Sequence, residues 1–116
     1  MKQRILFAED EPISRTLISR FLRGEGYEVD EAKDGAEALD FLNSFQFDLV
    51  ISDIRMPRVD GIELITRLRS ISPDTPFIIL TSNPNDALDL SKMPKSSVIG
   101  KPVLFDILKA DILRLL

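Results

Sequence analysis

Short apolar runs alternating with stretches of helical periodicity predict an α/β fold, a doubly wound five-stranded parallel sheet with helices on both faces. Three observations carry this expectation. Ile5-Leu6-Phe7-Ala8, Leu49-Val50-Ile51 and Phe77-Ile78-Ile79-Leu80 are unbroken apolar runs, as central strands buried on both faces require. Segments between the runs repeat their apolar residues at helical spacing. Strand–helix units follow one another five times, which implies parallel strands joined by right-handed crossovers.

Pro12 suits the first turn of a helix that carries Ile13, Leu17, Ile18, Phe21 and Leu22 as one stripe, and Gly24 and Gly26 end it. Residues 27–32 alternate like a half-exposed strand. Asp34 with Glu37 makes a capping-box-like start to a helix bearing Ala38, Leu39 and Leu42. The third strand ends in Ser52-Asp53, and Pro57 and Gly61 frame the loop before a helix of Ile62, Leu64, Ile65 and Leu68. The fourth strand ends in Thr81. Pro84 and Pro94 then bracket only a short helix around residues 86–92, one or two turns long. Val98-Ile99 is a short fifth strand closed by Lys101-Pro102, and Phe105, Leu108, Ile112 and Leu115 form the stripe of the last helix. Phe7, Phe21, Phe41, Phe77 and Phe105 lie on apolar faces and are expected in the core.

A chain of 116 residues leaves room for one domain, residues 1–116, on a scale of about 100 to 200 residues per domain. Hydrophobic residues make up 44% and charged residues 29% of it, which argues for a packed core and against disorder. With 15 Lys+Arg against 19 Asp+Glu the net charge is -4, so attraction to nucleic acid or anionic lipid is disfavoured. Cysteine and histidine are both absent. That excludes disulfides, zinc sites and Ser-His or Cys-His nucleophile pairs, leaving carboxylates, hydroxyls, amines and a hard metal ion to do any chemistry. Met1-Lys2-Gln3-Arg4 leads straight into a four-residue apolar run, too short for a signal peptide or a spanning helix, and a cytoplasmic location is expected.

In such a sheet the ligand site lies beyond the carboxyl ends of the strands. Strand one ends in Glu9-Asp10, strand three in Asp53, strand four in Thr81 and strand five in Lys101. Any one of these acids alone reads more simply as a helix cap or a solvated turn; polar groups at four strand ends together do not. Carboxylates held close repel one another unless a cation sits among them, and oxygen-only ligands suit Mg²⁺ or Mn²⁺. The set fits a phosphoryl-handling site. One carboxylate serves as nucleophile, the metal neutralises developing charge, Lys101 supplies a point charge, and Thr81 donates a hydrogen bond.

These residues resemble the receiver domain of two-component response regulators over nearly the whole chain. The resemblance rests on Glu9-Asp10-Glu11-Pro12, on Asp53-Ile54-Arg55-Met56-Pro57 with Asp60-Gly61, on Leu80-Thr81-Ser82 and on Lys101-Pro102. It implies strand order 2-1-3-4-5, Asp53 as phosphoacceptor, and Glu9, Asp10, Asp53 and the backbone carbonyl of Arg55 as Mg²⁺ ligands, Glu9 through water. It further implies that Thr81 and Lys101 contact the phosphoryl group and that the Lys101-Pro102 peptide is cis. The implied donor is a sensor histidine kinase or a histidine phosphotransfer protein, and the implied reader an output domain or effector. The chain would then be a signalling switch that catalyses only its own phosphorylation and dephosphorylation.

Part of the first helix docks the donor in that family, which nominates Arg15 and Ser19 as contacts; Arg15, Arg20 and Arg23 otherwise read as a solvated face. Two departures stand out. Val98 occupies the position three before the lysine, where the family usually has Tyr or Phe, and the stretch from Thr81 to Lys101 carries two prolines. Both motivate an alternative, a degenerate receiver that recruits partners without phosphorylation, against which the intact site residues argue. A metal-dependent phosphatase would want an acid where Arg55 stands. A flavodoxin-like electron carrier would want a hydroxyl-rich first loop and ring-stacking aromatics, whereas this chain has one Tyr and no Trp.

Overall fold

The computed structural model describes residues 2–116. Five parallel strands, β1 (Arg4–Ala8), β2 (Glu28–Ala32), β3 (Leu49–Asp53), β4 (Phe77–Thr81) and β5 (Ser96–Gly100), form one sheet in the order β2-β1-β3-β4-β5. The crossovers are α1 (Pro12–Gly24), α2 (Gly35–Ser44), α3 (Gly61–Ile71) and a 3₁₀ turn (Pro84–Ala87) running into α4 (Leu88–Ser91); α5 (Phe105–Leu115) closes the chain. Among the described residues no helix is long and apolar enough to cross a membrane.

Alternate side chains of a strand point to opposite faces, and the two faces are separate cores. Leu6, Ala8, Val50, Phe77 and Ile79 pack against α2, α3 and α4 through Leu42, Leu64, Leu68 and Leu90. Ile5, Phe7, Leu49, Ile51, Ile78 and Leu80 pack against α1 and α5 through Ile18, Leu22, Leu108 and Ile112. Each fully buried side chain of this size contributes about 1.5–3 kcal/mol, so truncating Leu6 or Ile78 to alanine would cost about 2–5 kcal/mol.

The caps follow the sequence pattern. Asp34 accepts from the Glu37 N–H at 2.8 Å, Asp60 accepts from the Glu63 N–H at 2.9 Å, and Glu11 accepts from the Ser14 N–H at 2.6 Å, satisfying amides that helix starts leave free. Glu9 does not join them.

The helix stripes need correction at their first turns. In α1, Ile18, Ser19 and Leu22 are buried, but Ile13 is 70% exposed and Leu17 52%. Ile62 and Phe105 are likewise exposed. Ile13, Ile62 and Phe105 stand in the first turns of helices that begin beyond the strand ends, where little sheet lies beneath them, whereas Leu17 lies one turn further into α1. Phe105 is therefore not a core residue but a cover, stacked on the half-buried Phe21 at 4.3 Å. Phe41 is also only half-buried, while Phe7 and Phe77 are fully enclosed.

β5 is longer than expected. Ser96 and Ser97 pair with Phe77 and Ile78, and an edge strand tolerates such polar residues because only part of it faces the core. The segment between the prolines holds one 3₁₀ turn and one turn of helix, anchored by buried Ala87 and Leu90.

Candidate functional site

Strand register brings the polar strand ends together. Ala8 lies beside Ser52, Asp53 beside Leu80 and Thr81 beside Gly100, so the residues just beyond them share one rim.

Glu9 is fully buried. Its N–H donates to Ala32 O at 3.0 Å, and its carbonyl accepts from Arg15 Nη1 at 2.8 Å. Asp53 is nearly as enclosed, with Oδ1 accepting from the Ile54 N–H at 2.9 Å. Lys101 Nζ reaches both acids, Asp53 Oδ2 at 2.8 Å and Glu9 Oε1 at 3.3 Å. The lysine is itself fixed from its backbone, whose N–H donates to Thr81 O at 2.8 Å, and the Lys101-Pro102 peptide is cis. Asp10 is exposed. Its carboxylate, with those of Glu9 and Asp53, forms a set of oxygens all within 4.8 Å of one another.

Three carboxylates face one ammonium, and the imbalance is visible in the proton affinities of Glu9 and Lys101. Burial, and then the neighbouring Asp53 carboxylate, push Glu9 up to about 7, with Lys101 pulling the other way. Burial would lower Lys101, but its hydrogen bond to Asp53 and the charges of Glu9 and Asp53 outweigh that and raise it. Glu9 Oε2 is buried with no hydrogen-bond partner, a costly state for a carboxylate oxygen. Uncompensated oxygen donors of this kind fit a hard divalent cation, which Mg²⁺ satisfies with one or two carboxylates and retained waters.

The other expected residues stand further off. The Thr81 hydroxyl is buried but turned away along its own chain, donating to Asn83 O and accepting from Asn83 N–H, both at 3.1 Å. The Arg55 guanidinium is 79% exposed and pairs with Asp86 at 2.8 Å; only its backbone belongs to the site loop. Ser19 is buried, so it is no surface contact, and Arg15 is drawn inward onto the Glu9 carbonyl, 3.9 Å from Glu31. The first helix therefore supplies neither of those two residues as a free docking group. Arg23 pairs with Glu31 at 3.0 Å but stays exposed, as does Arg20, so both of these keep to the solvated face.

Close backbone packing fixes the loop after Asp53. The Gly61 N–H donates to Ile54 O at 2.7 Å, and a Cβ at Gly61 would collide with the Asp53 carbonyl. A Cβ at Gly35 would collide with the Val59 carbonyl, so both glycines are required by proximity rather than by backbone dihedral. Arg58, at φ 71°, takes the left-handed conformation that the tight turn imposes. Gly35, the Arg15–Glu9 bond and the Arg55–Asp86 pair were not legible in the sequence, because each joins residues with no local pattern between them.

A doubly wound sheet with three carboxylates and a lysine gathered at its carboxyl end defines a flavodoxin-like domain with an acidic crevice. The chain belongs to the response regulator receiver domain family, whose model matches residues 5–113, a phosphoacceptor signalling family of two-component systems. It is 38% identical to the sensor protein EvgS of Escherichia coli O157:H7 over 98% of its own length and 10% of that protein's. To the response regulator MprA of Mycolicibacterium vanbaalenii it is 43% identical over 71% of its length and 36% of that protein's. The chain thus spans about a tenth and about a third of these relatives. Among solved structures, the response regulator TrrA from Thermotoga maritima in complex with Mg²⁺-BeF superposes with a TM-score of 0.90 at 40% identity, covering 100% of both chains.

Proposed function

We propose that Asp53 accepts a phosphoryl group in a divalent-metal-dependent step and that residues 1–116 act as one receiver switch. The observation that carries this reading is the Asp53 carboxylate held 2.8 Å from Lys101 Nζ within a cluster of carboxylate oxygens from buried Glu9 and Asp53 and exposed Asp10. Similarity to a receiver whose structure contains Mg²⁺-BeF supports it.

A carboxylate oxygen of Asp53 attacks the phosphorus of a phosphohistidine. The new P–O bond forms as the P–N bond breaks, and the departing imidazole nitrogen keeps the electron pair and takes up a proton. Glu9, through water, and Asp10, Asp53 and the Arg55 carbonyl would hold Mg²⁺, which would supply positive charge to offset that developing on the phosphoryl group. Lys101, released from the carboxylate it now pairs, contacts one phosphoryl oxygen, and the Thr81 hydroxyl turns from Asn83 to another. Hydrolysis of the resulting mixed anhydride resets the switch. The donor is a histidine kinase or a histidine phosphotransfer protein, the reader is an output domain or effector, and the domain works in the cytoplasm.

Intact-mass measurement after incubation with phosphoramidate tests the assignment. One added phosphate is expected with Mg²⁺, none with EDTA and none in Asp53→Asn. Equal labelling of Asp53→Asn would reject Asp53 as the acceptor.

A further inference from the structure

One ion pair ties the loop that follows Asp53 to the 3₁₀ turn that follows β4. Arg55 Nη2 donates to Asp86 Oδ2 at 2.8 Å, joining residues 31 apart in sequence. The Asp86 N–H donates to Asn83 O at 2.9 Å. That same carbonyl accepts the Thr81 hydroxyl, whose oxygen in turn accepts the Asn83 N–H. A continuous polar chain therefore runs from Thr81 through Asn83 and Asp86 to Arg55, two residues beyond Asp53.

We infer that the Arg55–Asp86 pair is a latch that holds the 3₁₀ turn against the phosphoacceptor loop and opposes its displacement. The inference rests on Asp53 being the phosphoacceptor. A hydroxyl has one proton to give, so a Thr81 side chain that turns to a phosphoryl oxygen surrenders its bond to Asn83 O, and its rotation withdraws the acceptor from the Asn83 N–H. Both side-chain ties between Thr81 and Asn83 are then gone, and the ion pair is the side-chain tie that still joins Asp86 to the loop after Asp53, beside the turn's own Asp86 N–H bond to Asn83 O and the buried Ala87. Val98, short and branched, offers no ring to fill the space Thr81 leaves. The turn, a single 3₁₀ turn leading into a four-residue helix, is the short element next to Thr81 that can shift in its place. Exposure of Arg55 keeps the pair weak and open to screening by salt, as a latch that must open requires.

Amide resonances of the folded domain, with and without Mg²⁺ and beryllofluoride, read the latch directly. In Asp86→Asn the beryllofluoride-like fraction of the unliganded protein should rise about two- to fivefold, the range an exposed pair commands. It would appear as resonances of residues 83–88 displaced toward their beryllofluoride positions. In the unsubstituted protein, raising salt from low to molar concentration should move the same resonances the same way, and should have little effect in Asp86→Asn. Resonances that ignore both the substitution and the salt, in a protein that still gains one phosphate by mass, would overturn the latch alone. Failure of the unsubstituted protein to gain that phosphate would remove the phosphoacceptor reading and the latch with it.

Discussion

The loop from Asp53 to Gly61 and the connection over residues 82–95 border the same crevice but are built in opposite ways. The first is cross-braced: Gly61 N–H bonds Ile54 O, Gly35 packs on the Val59 carbonyl, and Ile54 and Met56 are buried. The second holds to the core through Ala87 and Leu90, while Leu88 is exposed and its helix spans four residues. Phosphoryl transfer needs oxygens fixed at the reacting geometry, whereas a signalling surface needs a segment that shifts at low free-energy cost. On the proposed function, the two loops divide these requirements between them.

The contrast can be broken most severely at the glycines. Gly35→Ala or Gly61→Ala forces a Cβ onto a backbone carbonyl and should lower stability by about 2–4 kcal/mol, while Lys92→Ala in the other loop should stay within about 0.5 kcal/mol. Urea midpoints at unchanged slope check this. Similar costs in both loops would contradict the division.

Leu68 and Leu90 sharpen it. Leu68→Ala in α3 should cost about 3 kcal/mol globally. Leu90→Ala should cost less than half of that, because the short helix can detach alone, and its price appears as lost amide-exchange protection over residues 84–91. A Leu90→Ala variant as destabilised as Leu68→Ala would mean that α4 unfolds only with the whole domain.

The proposed metal site belongs to the braced side. Mg²⁺ at about ten times its dissociation constant should add about 1.4 kcal/mol, roughly 5 °C in Tm for a domain of this size. Glu9→Gln should lose that gain, because the buried oxygen without a partner belongs to Glu9. Asp10→Asn should weaken Mg²⁺ binding while changing the metal-free Tm little, since Asp10 is exposed. A Tm indifferent to millimolar Mg²⁺ would contradict the metal site.

The smallest expected effect is at β5. Val98→Tyr supplies the ring that the strand lacks and should enlarge the beryllofluoride response of residues 98–100, with little change at residues 83–88.

The central strands and the meeting of Glu9, Asp10, Asp53 and Lys101 were legible because buried parallel strands write continuous apolar runs and their carboxyl ends are marked by abrupt polarity, while the strand order followed from the family resemblance and the start of β5, at Ser96-Ser97, was hidden by its polar residues. The overhanging first turns were not. Periodicity places Ile13, Leu17 and Phe105 on an apolar face, but whether sheet lies beneath that face depends on where the strands stop. Nor does sequence reveal which partner a long side chain takes: Arg15 reads as a solvated arginine until its guanidinium is found on the Glu9 carbonyl. Thr81 was placed at the rim correctly, while its bonding to Asn83 depends on a rotamer that no sequence pattern encodes.

The central claim, that chemistry is held on the braced loop and output leaves through the pliable one, is tested most directly by mapping amide-resonance changes when Mg²⁺ and beryllofluoride bind. Strong shifts over residues 82–95 with weak ones over residues 98–100 are the predicted result. Comparable shifts in both stretches, or a silent segment from 82 to 95, would contradict it.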